Sequence, residues 1–199
     1  SIGISVFREH VFQSLLEAVV NYPELKERVV AVLSAAGSIG GSPLANAHDQ
    51  KDLSIMRHFP GSQCSEGDGG AIESLRPTTR RAWLAENDLP EEIAFYSLVT
   101  WPHPDRISSI LGSTYRKLST VDARNDSQVI YYDQVIPGST LLGFVNADHW
   151  ALAVPIARSH SFIGSTFVDK NDFPREALIE AILRFVDEDL EQRQLLRVQ

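Results

Sequence analysis

The sequence predicts an α/β fold, in which a parallel sheet carries helices on both faces. Apolar runs typical of buried parallel strands occupy residues 29–33, 93–100 and 141–145. Around them, apolar residues recur at the spacing of helices that pack one face on a core. With 199 residues, 43% of them hydrophobic, the chain can bury one sizeable core, so we expect a single domain over residues 1–199.

The first half of the chain opens with a predicted helix over residues 6–20. Its apolar positions are Val11, Phe12, Leu15, Leu16, Val19 and Val20. Pro23 ends this helix, because the residue before a proline is biased away from helical angles. The partly β-branched run 29–33 predicts the first strand, and the chain-breaking residues 37–43 (G-S-I-G-G-S-P) predict a loop after it.

Residues 46–91 show no clean period apart from a short helical pattern over 76–87. Because this segment separates two predicted strands, we expect it to form a cap or lid above the strand ends. The strands 93–100 and 141–145 follow, and residues 129–132 are also strand-like. A closing helix should begin near residues 172–174 and bury one face. That face would comprise Ile179, Leu183, Val186 and Leu190.

The composition excludes several classes of function. Acidic residues outnumber basic ones by 26 to 18, the net charge is −8, and no run of basic residues occurs, which disfavours nucleic acid and anionic membranes as partners. The single cysteine, Cys64, excludes an internal disulfide and a Cys-rich zinc site. No apolar run approaches the roughly 20 residues of a membrane-spanning helix. No signal-peptide pattern follows Ser1. The sequence leaves the compartment open, with a cytoplasmic location favoured.

An acid and a histidine occupy positions where an α/β sheet presents functional side chains. His149 follows the third strand, and Asp126 lies in a polar loop between the second and third strands. Sites in such sheets lie outside the carboxyl ends of the strands. A buried carboxylate can hold an imidazole in one tautomer and stabilise its charged form. We therefore expect Asp126 and His149 to form a hydrogen-bonded pair.

Other interpretations of these residues remain open. Asp126 could simply cap a turn, as Asn-Asp-Ser sequences often do. Asp133 is a rival partner for His149, since it follows the strand-like residues 129–132. Asp148 is adjacent to His149 in the chain and is poorly placed to reach its ring.

Four motifs together resemble α/β-hydrolases of the bacterial lipase and esterase kind. N-D-S-Q-V (125–129) and N-A-D-H-W (146–150) are similar to their acid and histidine loops, the first of which reads N-D-G-hydrophobic in such lipases. Residues 32–43 resemble the strand and Gly-Ser loop after their nucleophile helix, and 95–98 (F-Y-S-L) their next strand. The motifs occur in the family's order over roughly residues 11–155.

The resemblance implies a serine hydrolase that cleaves a carboxylic ester or a related acyl substrate. His149 would be the general base, Asp126 would orient it, and no cofactor or metal would take part. The partner would be a small-molecule ester. His48 and His58 lie in a loop-rich stretch without a matching pair of acids, so the sequence gives no metal constellation either.

The nucleophile departs from the family pattern, which places a serine in G-x-S-x-G directly before the helix predicted here over 6–20. Ser1 has the second glycine, Gly3, while the first would lie before the chain begins. Ser5 has the first glycine but Phe7 in place of the second, and this bulk would crowd the turn. Ser1 is therefore the candidate nucleophile.

Ser38 is a second possibility, since A-G-S-I-G (36–40) follows a predicted buried strand. Pro43 falls in the first turns of the helix that must follow such an elbow, so we favour a glycine-rich loop that lines the pocket.

The family sheet has about eight strands, so the resemblance implies that this chain is a fragment without the N-terminal strands. The alternative, favoured by the incomplete elbow, is a non-catalytic binding module or remnant of the same fold.

Overall fold

The structure is a computed structural model that describes residues 9–46, 70–153, 169–170 and 173–197. Within these residues, three strands form one sheet in the order β1-β2-β3: β1 (Ala31–Ala35), β2 (Ala94–Thr100) and β3 (Thr140–Val145). Both pairs of strands are parallel. The predicted α/β class is therefore confirmed, and each predicted strand is found within two residues of its expected position.

Helices precede, separate and follow the strands. They are α1 (Glu9–Asn21), α2 (Gly70–Ser74), α3 (Pro77–Glu86), α4 (Gly112–Ser119), α5 (His149–Ala153) and α6 (Arg175–Arg197). Single 3₁₀ turns cover Pro23–Glu27, Pro43–Asn46, Pro104–Arg106, Ser109–Leu111 and Tyr131–Gln134. Among the helices of the described residues, none is long and apolar enough to cross a membrane.

Two apolar clusters lie on opposite faces of the sheet. On one face, α6 contributes Ile182 and Val186, which pack with Tyr96 and Leu98 of β2 and Val145 of β3. On the other face, a second cluster joins α1 to the sheet; its members are Leu16, Val19, Val32, Ile39, Ile93, Phe95 and Ile136. Because β2 is central, all seven of its residues are buried, as expected for a strand covered on both faces.

Three details differ from the sequence expectations. The first strand begins only at Ala31, because the amides of Arg28 and Val29 still bond the Leu25 carbonyl of the preceding helical turn. Residues 129–132 do not form a strand: Ile130 pairs only with Asn125 in an isolated bridge, and a 3₁₀ turn begins at Tyr131. Here the prediction was wrong, since side-chain bonds within the loop curl the backbone.

The closing helix buries a face that is rotated from the predicted one. Leu178, Ile182, Val186 and Leu190 pack on the sheet. Ile179 instead is 37% exposed. The buried residues recur every four positions, so they form a narrow stripe along the side of the helix that faces the sheet.

The cap assignment for 46–91 stays a prediction, because residues 47–69 lie outside the described residues. In the described part, Trp83 and Leu84 of α3 pack against the cluster that contains Val32 of β1. Helix α3 is thus attached to the face of the sheet that α1 also covers.

Candidate active site

The carboxyl ends of the three strands meet at one edge of the sheet. After β3, the chain reaches His149; at the end of β2 lies Thr100; and after β1, residues 36–42 form a buried loop. This loop contacts the acid loop, since Ser42 Oγ donates to the Gln128 carbonyl and the Gly40 amide to the Asp133 carbonyl. The three segments therefore converge on residues 125–134.

Asp126 and His149 form a buried pair at this point. The Asp126 Oδ2 and His149 Nδ1 atoms lie 2.8 Å apart. Their residues are 0% and 2% exposed. The His149 amide also donates to the Asp126 carbonyl at 3.0 Å, so backbone and side chain hold the two residues together. The predicted hydrogen bond is confirmed.

The sequence of the acid loop explains its shape. The side-chain NH₂ group of Asn125 donates to Ser119 Oγ and to the Asp122 carbonyl. The side-chain oxygen of Asn125, Oδ1, accepts the backbone N–H of Ser127 at 3.0 Å. Ser127 has a φ of 84°, in the left-handed region that favours glycine. Ser127 occupies the position of the glycine in the N-D-G motif of the bacterial lipases that the sequence resembles.

Asp126 also caps this turn. Its Oδ1 accepts the amides of Gln128 and Val129 at 3.0 and 2.8 Å, which leaves Oδ2 to face the imidazole. Asp126 therefore caps the turn with one carboxylate oxygen and contacts His149 with the other, while its catalytic role stays a prediction.

Two residues that the sequence analysis did not single out complete the surroundings of Asp126. Thr100 Oγ1 donates to Asp126 Oδ2 at 2.5 Å. Gln134 bonds the backbone of Thr100 on both sides, accepting its amide at 2.7 Å and donating to its carbonyl at 3.0 Å. The end of β2 was predicted, but no local pattern marks a threonine and a glutamine as partners of an acid far along the chain.

Asp148 has a different task from His149. Its Oδ1 accepts the Ala151 amide at 2.8 Å, as an N-cap residue of the short helix α5 does. Its Oδ2 accepts the Ser108 amide at 2.8 Å. Asp148 thus fixes the turn that presents His149, in agreement with the expectation that it does not reach the ring.

Asp133, the rival acid, is paired elsewhere. Its carboxylate accepts Arg81 Nη2 at 3.0 and 3.2 Å. Burial raises the pKa of Asp133, although Arg81 opposes this shift. An open depression of about 430 Å³ lies beside it, lined in part by Gly40, Arg81 and Tyr132. Among the described residues, therefore, Asp126 is the carboxylate that contacts His149.

Of the three serines considered as nucleophiles, only Ser38 lies among the described residues. Ser1 and Ser5 lie outside the described residues. Ser38 is buried, in a loop where β1 ends at Ala35 and the next helical turn begins only at Pro43. That geometry is not the sharp strand-to-helix turn of a nucleophile elbow. The choice of Ser1 stays a prediction.

Comparison with solved structures places this arrangement among known folds. A metagenomic carboxyl esterase is 44% identical and superimposes with a TM-score of 0.79, over 89% of this chain and 53% of the esterase. The mature lipase of Bacillus licheniformis is 15% identical with a TM-score of 0.54, over 74% and 58% of the two chains. The Staphylococcus hyicus lipase is 9% identical, with a TM-score of 0.54, over 80% and 58%.

These likenesses confirm the α/β-hydrolase fold. The resemblance to esterases and lipases is likewise confirmed, since the carboxyl esterase has the same fold and is 44% identical over the matched part of the chain. The chain spans about half the length of that esterase, 53%. No protein-family model and no curated protein matches the sequence significantly.

Proposed function

We propose that this chain carries the acid and the base of a serine hydrolase that cleaves a carboxylic ester or a related acyl substrate. The esterase and lipase neighbours support a hydrolase function. The assignment of Asp126 as the acid and His149 as the base rests on the buried hydrogen bond of 2.8 Å between Asp126 Oδ2 and His149 Nδ1.

The proposed reaction follows from this geometry. A serine, for which Ser1 is the candidate, attacks the acyl carbonyl, and Nε2 of His149 takes its proton and delivers it to the leaving alcohol, which leaves an acyl-serine. Water, deprotonated by the same Nε2, then attacks the acyl-serine and releases the carboxylic acid, and the proton returns to the serine. Asp126 holds the imidazole with Nδ1 protonated, so that Nε2 is the basic nitrogen, and it stabilises the imidazolium that forms. Backbone amides near the serine would stabilise the oxyanion.

Labelling with a fluorophosphonate probe tests this function directly. The protein would be expressed with any sequence that its gene encodes upstream of Ser1, and the modified residue would be mapped by mass spectrometry. We expect a labelled serine, turnover of short-chain p-nitrophenyl esters, and loss of both in His149→Ala. A matched control is His103→Ala, because His103 also bonds an aspartate, Asp105, but both side chains are exposed.

The outcomes separate the alternatives. Modification at Ser1 would identify the nucleophile, and modification at Ser38 would place the elbow after β1 instead. If no serine is labelled and no ester is turned over, the chain is a non-catalytic member of the fold that binds a ligand or partner, and the catalytic proposal is wrong.

A further inference from the structure

Asp126 is saturated with donors, and one of them comes from the sheet. Within the described residues, its carboxylate accepts two backbone amides at Oδ1 and the Thr100 hydroxyl and the His149 ring at Oδ2. Two carboxylate oxygens offer about four lone-pair sites, so every site is used. A carboxylate held in this way cannot rotate without breaking several bonds.

The Thr100 hydroxyl has two acceptors within reach but only one proton. Asp126 Oδ2 lies at 2.5 Å and Gln134 Oε1 at 3.1 Å. The bond to the carboxylate oxygen is the shorter of the two. The hydroxyl therefore donates to the same oxygen that contacts His149 Nδ1.

Gln134 explains why Thr100 keeps this position. Its amide binds both the N–H and the carbonyl of Thr100, much as a neighbouring strand would, and its Nε2 also reaches the Val129 carbonyl at 3.4 Å. Gln134 and Thr100 are both fully buried. One side chain thus connects the end of β2 to the loop that carries Asp126.

We propose that Thr100 is a positioning residue for the Asp126–His149 pair, and that Gln134 holds Thr100 against the acid loop. In this role Thr100 acts through Asp126, to which its hydroxyl donates. The inference rests on the proposed function for its catalytic consequence. Its structural part, the order of the buried pair, can be measured without any turnover.

The structural part is tested by proton NMR of the 199-residue chain. A proton between a ring nitrogen and a carboxylate gives a resonance far downfield, and His149→Ala identifies it by its loss. In Thr100→Val, which removes the hydroxyl but keeps the branched shape, we expect exchange of this proton with water to be faster by roughly tenfold or more, since a bond to a charged group is lost. Thr100→Ser keeps the hydroxyl and should preserve the resonance.

Ser97→Ala is the matched control on the same strand. Ser97 Oγ bonds Ser139 Oγ at 2.8 Å and the Ile136 amide at 2.9 Å. Its loss should lower the stability of the sheet without changing the exchange of the His149 proton. If Ser97→Ala accelerates exchange as much as Thr100→Val does, the effect is general loosening and the proposal is overturned.

Kinetics of the ester-hydrolysing protein test the catalytic part. We expect kcat to fall roughly tenfold or more in Thr100→Val with KM within about twofold, because misorientation of the base affects the chemical step. Thr100→Ser should recover kcat to within about threefold. Equal kcat in all three proteins, together with an unchanged resonance, would overturn the inference. Absence of turnover in the parent protein would refute the hydrolase proposal alone, since the NMR result stands independently.

Discussion

Asp126 and Asp133 lie in the same loop and are both buried, but their surroundings differ. Asp126 is 0% and Asp133 is 4% exposed. Asp126 receives its donors from its own loop, from β2 and from the start of α5. Asp133 is paired with Arg81, whose side chain is 57% exposed. Burial alone therefore does not show which of the two acids contacts His149; the origin of the donors does.

Asp126 and Asp133 also connect different parts of the chain. Asp126 links the ends of β2 and β3, where chemistry would take place. Asp133 stabilises the loop after β1, because its backbone carbonyl accepts the Gly40 amide at 2.8 Å. Changes at the first acid should affect turnover, and changes near the second should affect mainly stability.

The largest expected effect is that of Asp126→Asn on turnover. To accept the Gln128 and Val129 amides, the new amide must place its oxygen at the Oδ1 position, so its NH₂ group faces His149. The imidazole must then accept at Nδ1 and carry its proton on Nε2, which is the wrong tautomer for a base. We expect kcat for p-nitrophenyl esters to fall by about 10³- to 10⁴-fold.

The same assay should distinguish the two acids. Asp133→Asn is expected to keep kcat within about threefold of the parent, since Asp133 has no contact with the pair. A loss in Asp133→Asn comparable to that in Asp126→Asn would contradict the assignment of Asp126 as the orienting acid.

Gly40→Ala should give the largest loss of stability near Asp133. An added Cβ would lie 2.3 Å from Asp133 Oδ1 and 3.2 Å from its Cα, so the buried acid and its backbone must shift. Such overpacking costs about 1 to 3 kcal/mol in the free energy of unfolding. Urea denaturation measures it, with Gly112→Ala as control, because a Cβ there meets nothing within 4 Å.

For Gly112→Ala we expect a change of at most about 1 kcal/mol, towards greater stability, since alanine is favoured over glycine in a helix. Equal losses in both variants would show that the contact between Gly40 and Asp133 is not what limits the size of residue 40.

Much of this arrangement could be predicted from the sequence because it depends on local patterns. The apolar run of β2 and the order of Asp126 before His149 are both visible in the chain. The partners that hold Asp126 in place are not visible there, since Thr100 donates to Asp126 from 26 positions away and Gln134 bonds Thr100 from 34 positions away. The pairing of Asp133 with Arg81 spans 52 positions. Side-chain partners of this kind follow from the packing of elements, which no short motif records.

Ser127→Gly should stabilise the loop that carries Asp126. Ser127 holds a φ of 84°, and its buried hydroxyl has no hydrogen-bond partner among the described residues. Relief of the strained backbone, offset by the greater freedom of glycine in the unfolded chain, should raise the free energy of unfolding by roughly 1 kcal/mol. Ser127→Ala removes the hydroxyl but keeps the strain, so it should recover less than half of this gain.

Asp133→Asn should change the free energy of unfolding least, and the sign of this change should depend on pH. Because burial raises the pKa of Asp133 in the folded protein, the native state binds this proton more tightly than the unfolded chain does. The contribution of Asp133 to stability is thus fully present below the ordinary aspartate pKa of about 3.9 and is lost as the pH rises through the higher pKa of the folded state. The asparagine variant has no such loss.

The free energies of unfolding of the two proteins, measured in urea at pH 4 and pH 7, test this sign. We expect the variant to gain stability relative to the parent as the pH rises, since burial disfavours the charged carboxylate and the solvent-screened ion pair with the exposed Arg81 offsets only part of that cost. If the variant instead becomes relatively less stable between pH 4 and pH 7, the Arg81 pair outweighs the cost of burial. Asp133 would then be a stabilising ion pair, and the contrast with Asp126 would rest on position alone.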